Sequence, residues 1–136
     1  MDPCFSRRSL LLAGGAGLGV LALAACGGEP VPEVAAAAAG DRVAGLADVP
    51  VGGALELSVS GQRVILTQPT AGTVVGYDAT CTHQGCTVRA VAGGPFACPC
   101  HGSQFDAATG AVLQGPAREP LARFGVTVSG ADIVRG

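Results

Sequence analysis

Two short segments that carry cysteine and histidine constrain this chain more than any other feature. They are Cys81–Cys86, with the sequence CTHQGC, and Cys98–Ser103, with the sequence CPCHGS. Together they contain both histidines of the protein and four of its six cysteines. Pairing one cysteine with one histidine in each segment leaves one further cysteine in each. This arithmetic fits a metal site of two thiolates and two imidazoles beside one disulfide.

Two other interpretations of these segments remain open from the residues alone. Two cysteines and two histidines would suit tetrahedral zinc. Zinc fingers, however, usually place two cysteines close together in one half-site and two histidines in the other. Here each segment offers one cysteine and one histidine together with an extra cysteine. Two disulfides without a metal would leave both histidines without a role.

The segments resemble the ligand loops of the Rieske family of [2Fe–2S] proteins, in which two histidines replace two cysteines on one iron. By this resemblance, the ligands are Cys81, His83, Cys98 and His101. The resemblance also pairs Cys86 with Cys100, as in the high-potential, disulfide-containing branch found in cytochrome bc complexes and arsenite oxidase. The implied cofactor is one [2Fe–2S] cluster. Rieske potentials run from about −150 to +300 mV, so the implied function is one-electron transfer.

The same resemblance implies roles around the cluster for four further residues. Ser103 corresponds to a serine whose hydroxyl donates a hydrogen bond to a bridging sulfide. Phe105 stands where respiratory members carry a tyrosine, so one hydrogen bond to a ligand sulfur is missing. Pro116 lies in the segment Gln114–Ala117, which resembles the loop that shields the cluster. Gln84 replaces the leucine that cytochrome bc members typically carry at the tip that docks on cytochrome b.

The N-terminal segment indicates export. Residues Ser6–Leu10, with the sequence SRRSL, resemble a twin-arginine signal. The apolar run from Leu10 to Ala25 is rich in glycine and shorter than a typical membrane-spanning helix. It ends in Leu23–Cys26, which resembles a bacterial lipoprotein box and makes Cys26 the expected lipidation site. We expect a lipid anchor on the outer face of the cytoplasmic membrane; an uncleaved membrane anchor is the alternative.

The strand pattern predicts an all-β fold. Short strands separated by glycine and proline turns, with no helical period after Val43, favour an antiparallel sandwich or a small barrel. The resemblance implies a β-sandwich with a small cluster-binding subdomain. The expected strands are Leu55–Val59, Arg63–Thr67 ended by Pro69, Thr73–Tyr77, Phe124–Val128 and Asp132–Val134. The expected regions are a signal peptide at 1–25, a lipidated cysteine and flexible linker at 26–42, and the Rieske domain at 43–136 with its cluster-binding subdomain at about 79–115.

Net charge and the number of histidines restrict the possible partners and functions of the protein. The formal net charge of −2 argues against a nucleic-acid partner. We expect an electron-transfer protein without a catalytic site of its own, whose partner is a cytochrome or a quinol-oxidising complex. The alternatives are the Rieske subunit of a quinol–cytochrome c oxidoreductase and the small subunit of a molybdenum oxidoreductase such as arsenite oxidase. A complete Rieske oxygenase is excluded, because no further histidine remains to ligate a mononuclear iron.

Overall fold

A computed structural model describes residues 30–136, and in this part of the chain nearly all regular structure is β. The strands are β1 (Glu33–Val34), β2 (Arg42–Gly45), β3 (Ala54–Val59), β4 (Gln62–Thr70), β5 (Thr73–Asp78), β6 (Phe96–Ala97), β7 (Gln104–Phe105), β8 (Val112–Gln114), β9 (Arg123–Phe124), β10 (Val126–Ser129) and β11 (Asp132–Arg135). One short 3-10 helix spans Leu46–Asp48. The prediction of an all-β, antiparallel fold is confirmed. Within residues 30–136, no helix is long and apolar enough to cross a membrane.

Three sheets make up the fold. The first has the strand order β1-β3-β4-β5-β9, the second β10-β11-β2, and the third, smaller sheet β6-β7-β8. The central strand β4 is buried on both faces, and its side chains alternate between two cores. Val64 and Leu66 face the core shared with the second sheet, whereas Ile65 faces the core shared with the third. The first sheet therefore carries the small sheet on one face and the rest of the sandwich on the other.

Two strand predictions need correction. Pro69 does not end its strand, because β4 continues to Thr70 through a shift in register against β5. A proline is tolerated at such an irregularity, where no ladder donor is needed. The predicted strand Phe124–Val128 is two strands in different sheets. Phe124 pairs with Gly76 in the first sheet and Val126 pairs with Arg135 in the second, so the chain changes sheets between them while the alternation continues.

The described part of the predicted linker 26–42 also differs from the expectation. Residues Glu33–Val34 form β1, which pairs in parallel with β3. Ala36 is completely buried in the core between the first two sheets. The backbone carbonyls of Pro32 and Val34 accept hydrogen bonds from the backbone N–H groups of Ser58 and Ser60. The predicted signal peptide and Cys26 lie outside the described residues.

The carboxylate of Glu56 links the cluster-binding subdomain to the first sheet. Glu56 lies on β3, and its Oε1 accepts a hydrogen bond of 2.7 Å from the backbone N–H of Ala90. Its Oε2 accepts one of 2.8 Å from Nε of Arg89. The hydroxyl of Tyr77 on β5 also donates to the carbonyl of Ala108 at 2.7 Å. These contacts fix the subdomain that carries both cysteine–histidine segments.

Candidate metal centre

The two cysteine–histidine segments fold into loops with the same backbone hydrogen bonds. In the first loop, Cys81 N–H donates to the carbonyl of Cys86 at 2.7 Å, and Gly85 N–H donates to the carbonyl of Cys81 at 2.9 Å. In the second, Cys98 N–H donates to the carbonyl of Ser103 at 2.8 Å, and Gly102 N–H donates to the carbonyl of Cys98 at 3.0 Å. Each loop thus begins with a cysteine and closes five residues later.

Each loop needs its glycine at the fifth position. Gly85 has φ of 75° and Gly102 has φ of 77°. This left-handed conformation is strained for residues with a Cβ atom. The shared sequence pattern, cysteine first and glycine fifth, therefore encodes the shared backbone.

The loops place the predicted ligands in two layers. Cys81 and Cys98 are 3% and 2% exposed and lie in the core between the first and third sheets. His83 and His101 are exposed, with ring centroids 4.9 Å apart and ring planes at 87°. The thiols consequently occupy the inner end of the candidate site, and the imidazoles lie side by side at the surface.

The remaining two cysteines of the loops form the predicted disulfide. Cys86 and Cys100 are bonded to each other, with their Cα atoms 6.5 Å apart. The Sγ atoms of Cys86, Cys98 and Cys100 all lie within 4.8 Å of one another, but disulfide sulfurs are not thiolates and do not serve as ligands in this state. Among the described residues, the free cysteines are Cys81 and Cys98. The interpretation with two disulfides is therefore wrong.

The donors that the structure assembles fit a [2Fe–2S] cluster with mixed ligands. Two unpaired thiols are buried and two imidazoles are adjacent, which is the donor set such a cluster requires. Thiolate is the usual protein donor to iron–sulfur clusters, and replacement of two thiolates by neutral imidazoles raises the potential. When bound, the cluster accepts and releases one electron at a time. The assignment of individual ligands stays a prediction.

The hydroxyl of Ser103 accepts one hydrogen bond in the described structure. The residue is completely buried at the end of the second loop. Its Oγ accepts a hydrogen bond of 3.1 Å from the backbone N–H of Ala117. A hydroxyl has one hydrogen to donate and two lone pairs that accept, so this contact leaves the hydrogen free. The donor role implied by the resemblance is compatible with this arrangement and stays a prediction.

A third segment, Gln114–Ala117, packs against the end of the second ligand loop at Ser103. Gly115 has φ of 92°, and a Cβ atom there would lie 2.8 Å from the backbone nitrogen of Ser103. Glycine is therefore required by close approach as well as by conformation. Pro116 is exposed, whereas the following Ala117 is buried against the same core as the cysteines. Whether Pro116 shields a bound cluster stays a prediction.

Phe105 lies inside the core that holds the two free cysteines. It is completely buried on β7, where it pairs with Phe96 on β6. Phe96 contacts the ring of Tyr77 edge to face, with centroids 5.7 Å apart. Burial raises the pKa of Tyr77 above its ordinary value of 10, against a smaller opposing effect of the nearby Arg123 cation. Three aromatic side chains therefore share one core with the two free cysteines.

Two contacts that stabilise the site have no local signal in the sequence. The hydroxyl of Thr82, inside the first loop, donates to the carbonyl of Glu119 at 2.7 Å. The Glu56–Arg89 ion pair joins residues 33 positions apart. Neither follows from a periodic pattern, because each connects distant segments of the chain.

The fold and the paired loops define a small β-protein with an iron–sulfur centre built from cysteine and histidine. Residues 41–125 match the model of the Rieske [2Fe-2S] domain family. The chain belongs to this family, and it carries one [2Fe–2S] cluster.

Similar proteins include iron-sulfur subunits of cytochrome b6-f complexes. The chain is 39% identical over 125 residues to the cytochrome b6-f complex iron-sulfur subunit of Synechococcus sp. (strain JA-3-3Ab), covering 88% of this chain and 65% of that protein. Its structure resembles the plasma membrane Rieske protein PetC3 of Synechocystis PCC 6803, with a TM-score of 0.61 and 36% identity over 70% of this chain and 97% of that one. The ferredoxin of carbazole 1,9a-dioxygenase from Nocardioides aromaticivorans IC177 shares the fold, at a TM-score of 0.59 and 24% identity over 73% of this chain and 98% of that one.

Proposed function

We propose that this Rieske protein is a high-potential one-electron carrier on the outer face of a bacterial cytoplasmic membrane, anchored there by lipid on Cys26. The observation that supports this most is the disulfide between Cys86 and Cys100, which joins the two ligand loops. Stable disulfides are rare in reducing cytoplasm and common in exported proteins. The disulfide also distinguishes the high-potential branch implied by the resemblance.

The comparisons favour a partner in a quinol-oxidising chain. The Synechococcus relative is a subunit of a cytochrome b6-f complex, and this chain spans 65% of its length. The match to PetC3, a plasma membrane Rieske protein, covers 97% of the PetC3 chain. We propose that the protein passes electrons between a quinol-oxidising complex and a cytochrome. The second candidate is a Rieske subunit within such a complex, and the third is a subunit of a molybdenum oxidoreductase.

Redox potential tests the proposed role. Protein-film voltammetry on the purified protein should give a near-zero or positive value, within the range of about −150 to +300 mV known for Rieske centres. A value near −400 mV, as in plant-type ferredoxins, would contradict the proposal. Native separation of solubilised membranes then distinguishes the candidates. A carrier migrates as a small free protein, whereas a subunit migrates with a b-type cytochrome or with a molybdenum protein.

Export and anchoring are tested separately. Changing Arg7 and Arg8 to lysine should keep the precursor in the cytoplasm, because twin-arginine signals are read through the arginine pair. Cys26→Ser should abolish incorporation of radiolabelled palmitate and leave the precursor uncleaved. Cys4→Ser is the matched control and should be lipidated normally. Detection of Met1 at the N-terminus of the membrane-bound protein would show that the apolar run is the anchor instead.

A further inference from the structure

Three large hydrophobic side chains are exposed in the described part of the chain, and they lie around the same glycine. They are Val51, Val91 and Leu113, which are 61%, 48% and 55% exposed. Val51 directly precedes Gly52, and Val91 and Leu113 each line a groove to which Gly52 also belongs. Exposed apolar side chains that cluster mark an interaction surface, whereas scattered single ones need no explanation.

Three uncharged turns surround these side chains. They are Val49–Gly53, Pro69–Gly72 and Gly93–Pro95, and residues from all three line one groove. None of the three turns contains a charged residue. We call the three turns, together with the three exposed side chains, the apolar face.

The buried side chain of Gln68 bonds polar groups of the first two turns. The backbone carbonyl of Gln68 accepts a hydrogen bond of 2.7 Å from the N–H of Gly52. Its side-chain amide donates to the carbonyl of Val49 and accepts from the N–H of Gly72 at 2.8 Å. Because these groups are paired without water, less desolvation opposes contact of the face with an apolar medium.

The charged groups near the apolar face are mainly acidic. Asp106 and Glu56 border its grooves, and both accept hydrogen bonds within the fold. Asp48 directly precedes the first turn, and Arg42 beside it pairs with Asp132 at 2.8 Å. The carboxylates thus outnumber the arginines that pair with them, which disfavours an anionic partner and leaves apolar contact as the attractive interaction.

The polypeptide enters the fold beside the apolar face. β1 pairs in parallel with β3, so the residues before β1 run back toward Ala54, where β3 begins. Pro32 accordingly lines a groove together with Leu55. Cys26 precedes Pro30, the first described residue, by four residues, which span at most about 14 Å. A lipid on Cys26 would therefore hold this end of the first sheet close to the bilayer.

Both ligand loops begin at the far end of strands that leave the apolar face. β5 follows the turn Pro69–Gly72 and runs for about 20 Å to Asp78, three residues before Cys81. β6 likewise leads from Gly93–Pro95 to Cys98. Contact of the apolar face with a membrane would therefore direct the ligand loops away from it.

We propose that the apolar face rests in the headgroup region of the bilayer and that the protein is held there by two contacts, this face and the lipid on Cys26. The tether is short, so the contact of the face with the bilayer is intramolecular and a small apolar surface is sufficient. This inference rests on the proposed lipid anchor at Cys26.

The fluorescence of single tryptophans tests this inference, because the chain has no tryptophan of its own. The lipidated full-length holoprotein is reconstituted into phosphatidylcholine vesicles with or without lipid brominated near the headgroup end of its acyl chains. Val51→Trp should be quenched by about twofold or more, since interfacial apolar side chains lie about 5–10 Å deep. Gln62→Trp is the matched control, exposed at the opposite end of β4, and should not be quenched.

A second reporter leaves Val51 in place. Ala71→Trp, on the neighbouring turn, should also be quenched, and adding Val51→Asp should abolish its quenching. Replacing half of the phosphatidylcholine with phosphatidylglycerol should not strengthen the quenching, because the contact is apolar and its surroundings are acidic.

The outcomes separate the anchor from the apolar face. If the lipidated protein does not float with the vesicles, the proposed anchor fails and the inference fails with it. If it floats but Val51→Trp and Ala71→Trp are quenched no more than Gln62→Trp, the anchor stands and the inference is wrong. Blue-shifted emission without quenching would show that a second copy or another protein covers the face, and quenching only with phosphatidylglycerol would contradict apolar contact.

Discussion

Replacement of Glu56 by alanine should destabilise the protein by about 2–3 kcal/mol, because this residue links the subdomain segment Arg89–Ala90 to the first sheet. Two contributions make up the figure. The partly buried N–H of Ala90 loses its acceptor, which costs about 1–2 kcal/mol. The ion pair with Arg89 adds about 1 kcal/mol, since the arginine side chain is 40% exposed and water screens it.

The Arg42–Asp132 pair provides a matched control. Its Nε–Oδ1 distance is also 2.8 Å, but the two side chains are 61% and 48% exposed. Asp132→Asn should therefore cost less than about 0.5 kcal/mol. The isosteric Glu56→Gln keeps an acceptor for Ala90 and should cost about 1 kcal/mol.

The assay is urea unfolding of the holoprotein, followed by far-UV circular dichroism. We expect the midpoint to fall in the order wild type, Asp132→Asn, Glu56→Gln, Glu56→Ala. The visible spectrum before denaturant should stay that of the wild type, because Glu56 is not a predicted ligand. An effect of Glu56→Ala no larger than that of Asp132→Asn would refute the argument that this carboxylate holds the subdomain.

Three further predictions concern the loops and their surroundings. Changing both Cys86 and Cys100 to serine should cost about 3 kcal/mol by the same assay, given the sequence separation of 14; two alkylatable thiols in the natively exported protein would contradict the pairing. Phe105→Tyr should raise the redox potential by about 40 mV, if a hydrogen bond from the new hydroxyl stabilises the reduced cluster by about 1 kcal/mol. Ser103→Ala should lower the potential. Voltammetry that shows no rise for Phe105→Tyr would mean that position 105 does not face the cluster. Hydrogen bonds from the backbone N–H and the hydroxyl of Thr109 hold the pKa of Asp106 below its ordinary 3.8. The stability that the ionised Asp106 adds is therefore fully present well above pH 3.8 and is lost as pH falls through the pKa of the folded protein. The cost of Asp106→Ala in urea should accordingly shrink between pH 7 and pH 3, and an unchanged cost would contradict this assignment.

Local chemistry explains why the two loops and the disulfide between them could be predicted. Each loop consists of consecutive residues, and its turn depends on the glycine at the fifth position, Gly85 or Gly102, which has a positive φ. The pairing of Cys86 with Cys100 came from the family resemblance and is confirmed. Strand β3 follows directly from period-two alternation, since Leu55, Leu57 and Val59 all pack in the same core.

The features that the sequence did not predict depend on distant parts of the chain. β1 forms only because β3 offers it an edge, and its own two residues carry no strand pattern. The alternation from Phe124 onward continues unbroken across two sheets, so it could not show where the chain changes from one to the other. The contact of Gly115 with Ser103 requires the folded arrangement of two loops. In each case, contacts between distant parts of the chain determine a structure that the local sequence pattern does not specify.

The central claim is one [2Fe–2S] cluster held by two cysteines and two histidines. Iron, zinc and acid-labile sulfide should be measured on the purified wild type and on His83→Ala and His101→Ala, with Gln84→Ala as the control from the same loop. The account predicts two irons and two sulfides per chain in the wild type and in the control, and loss of the cluster in both histidine variants. Stoichiometric zinc without sulfide, or an intact cluster in either histidine variant, would contradict it.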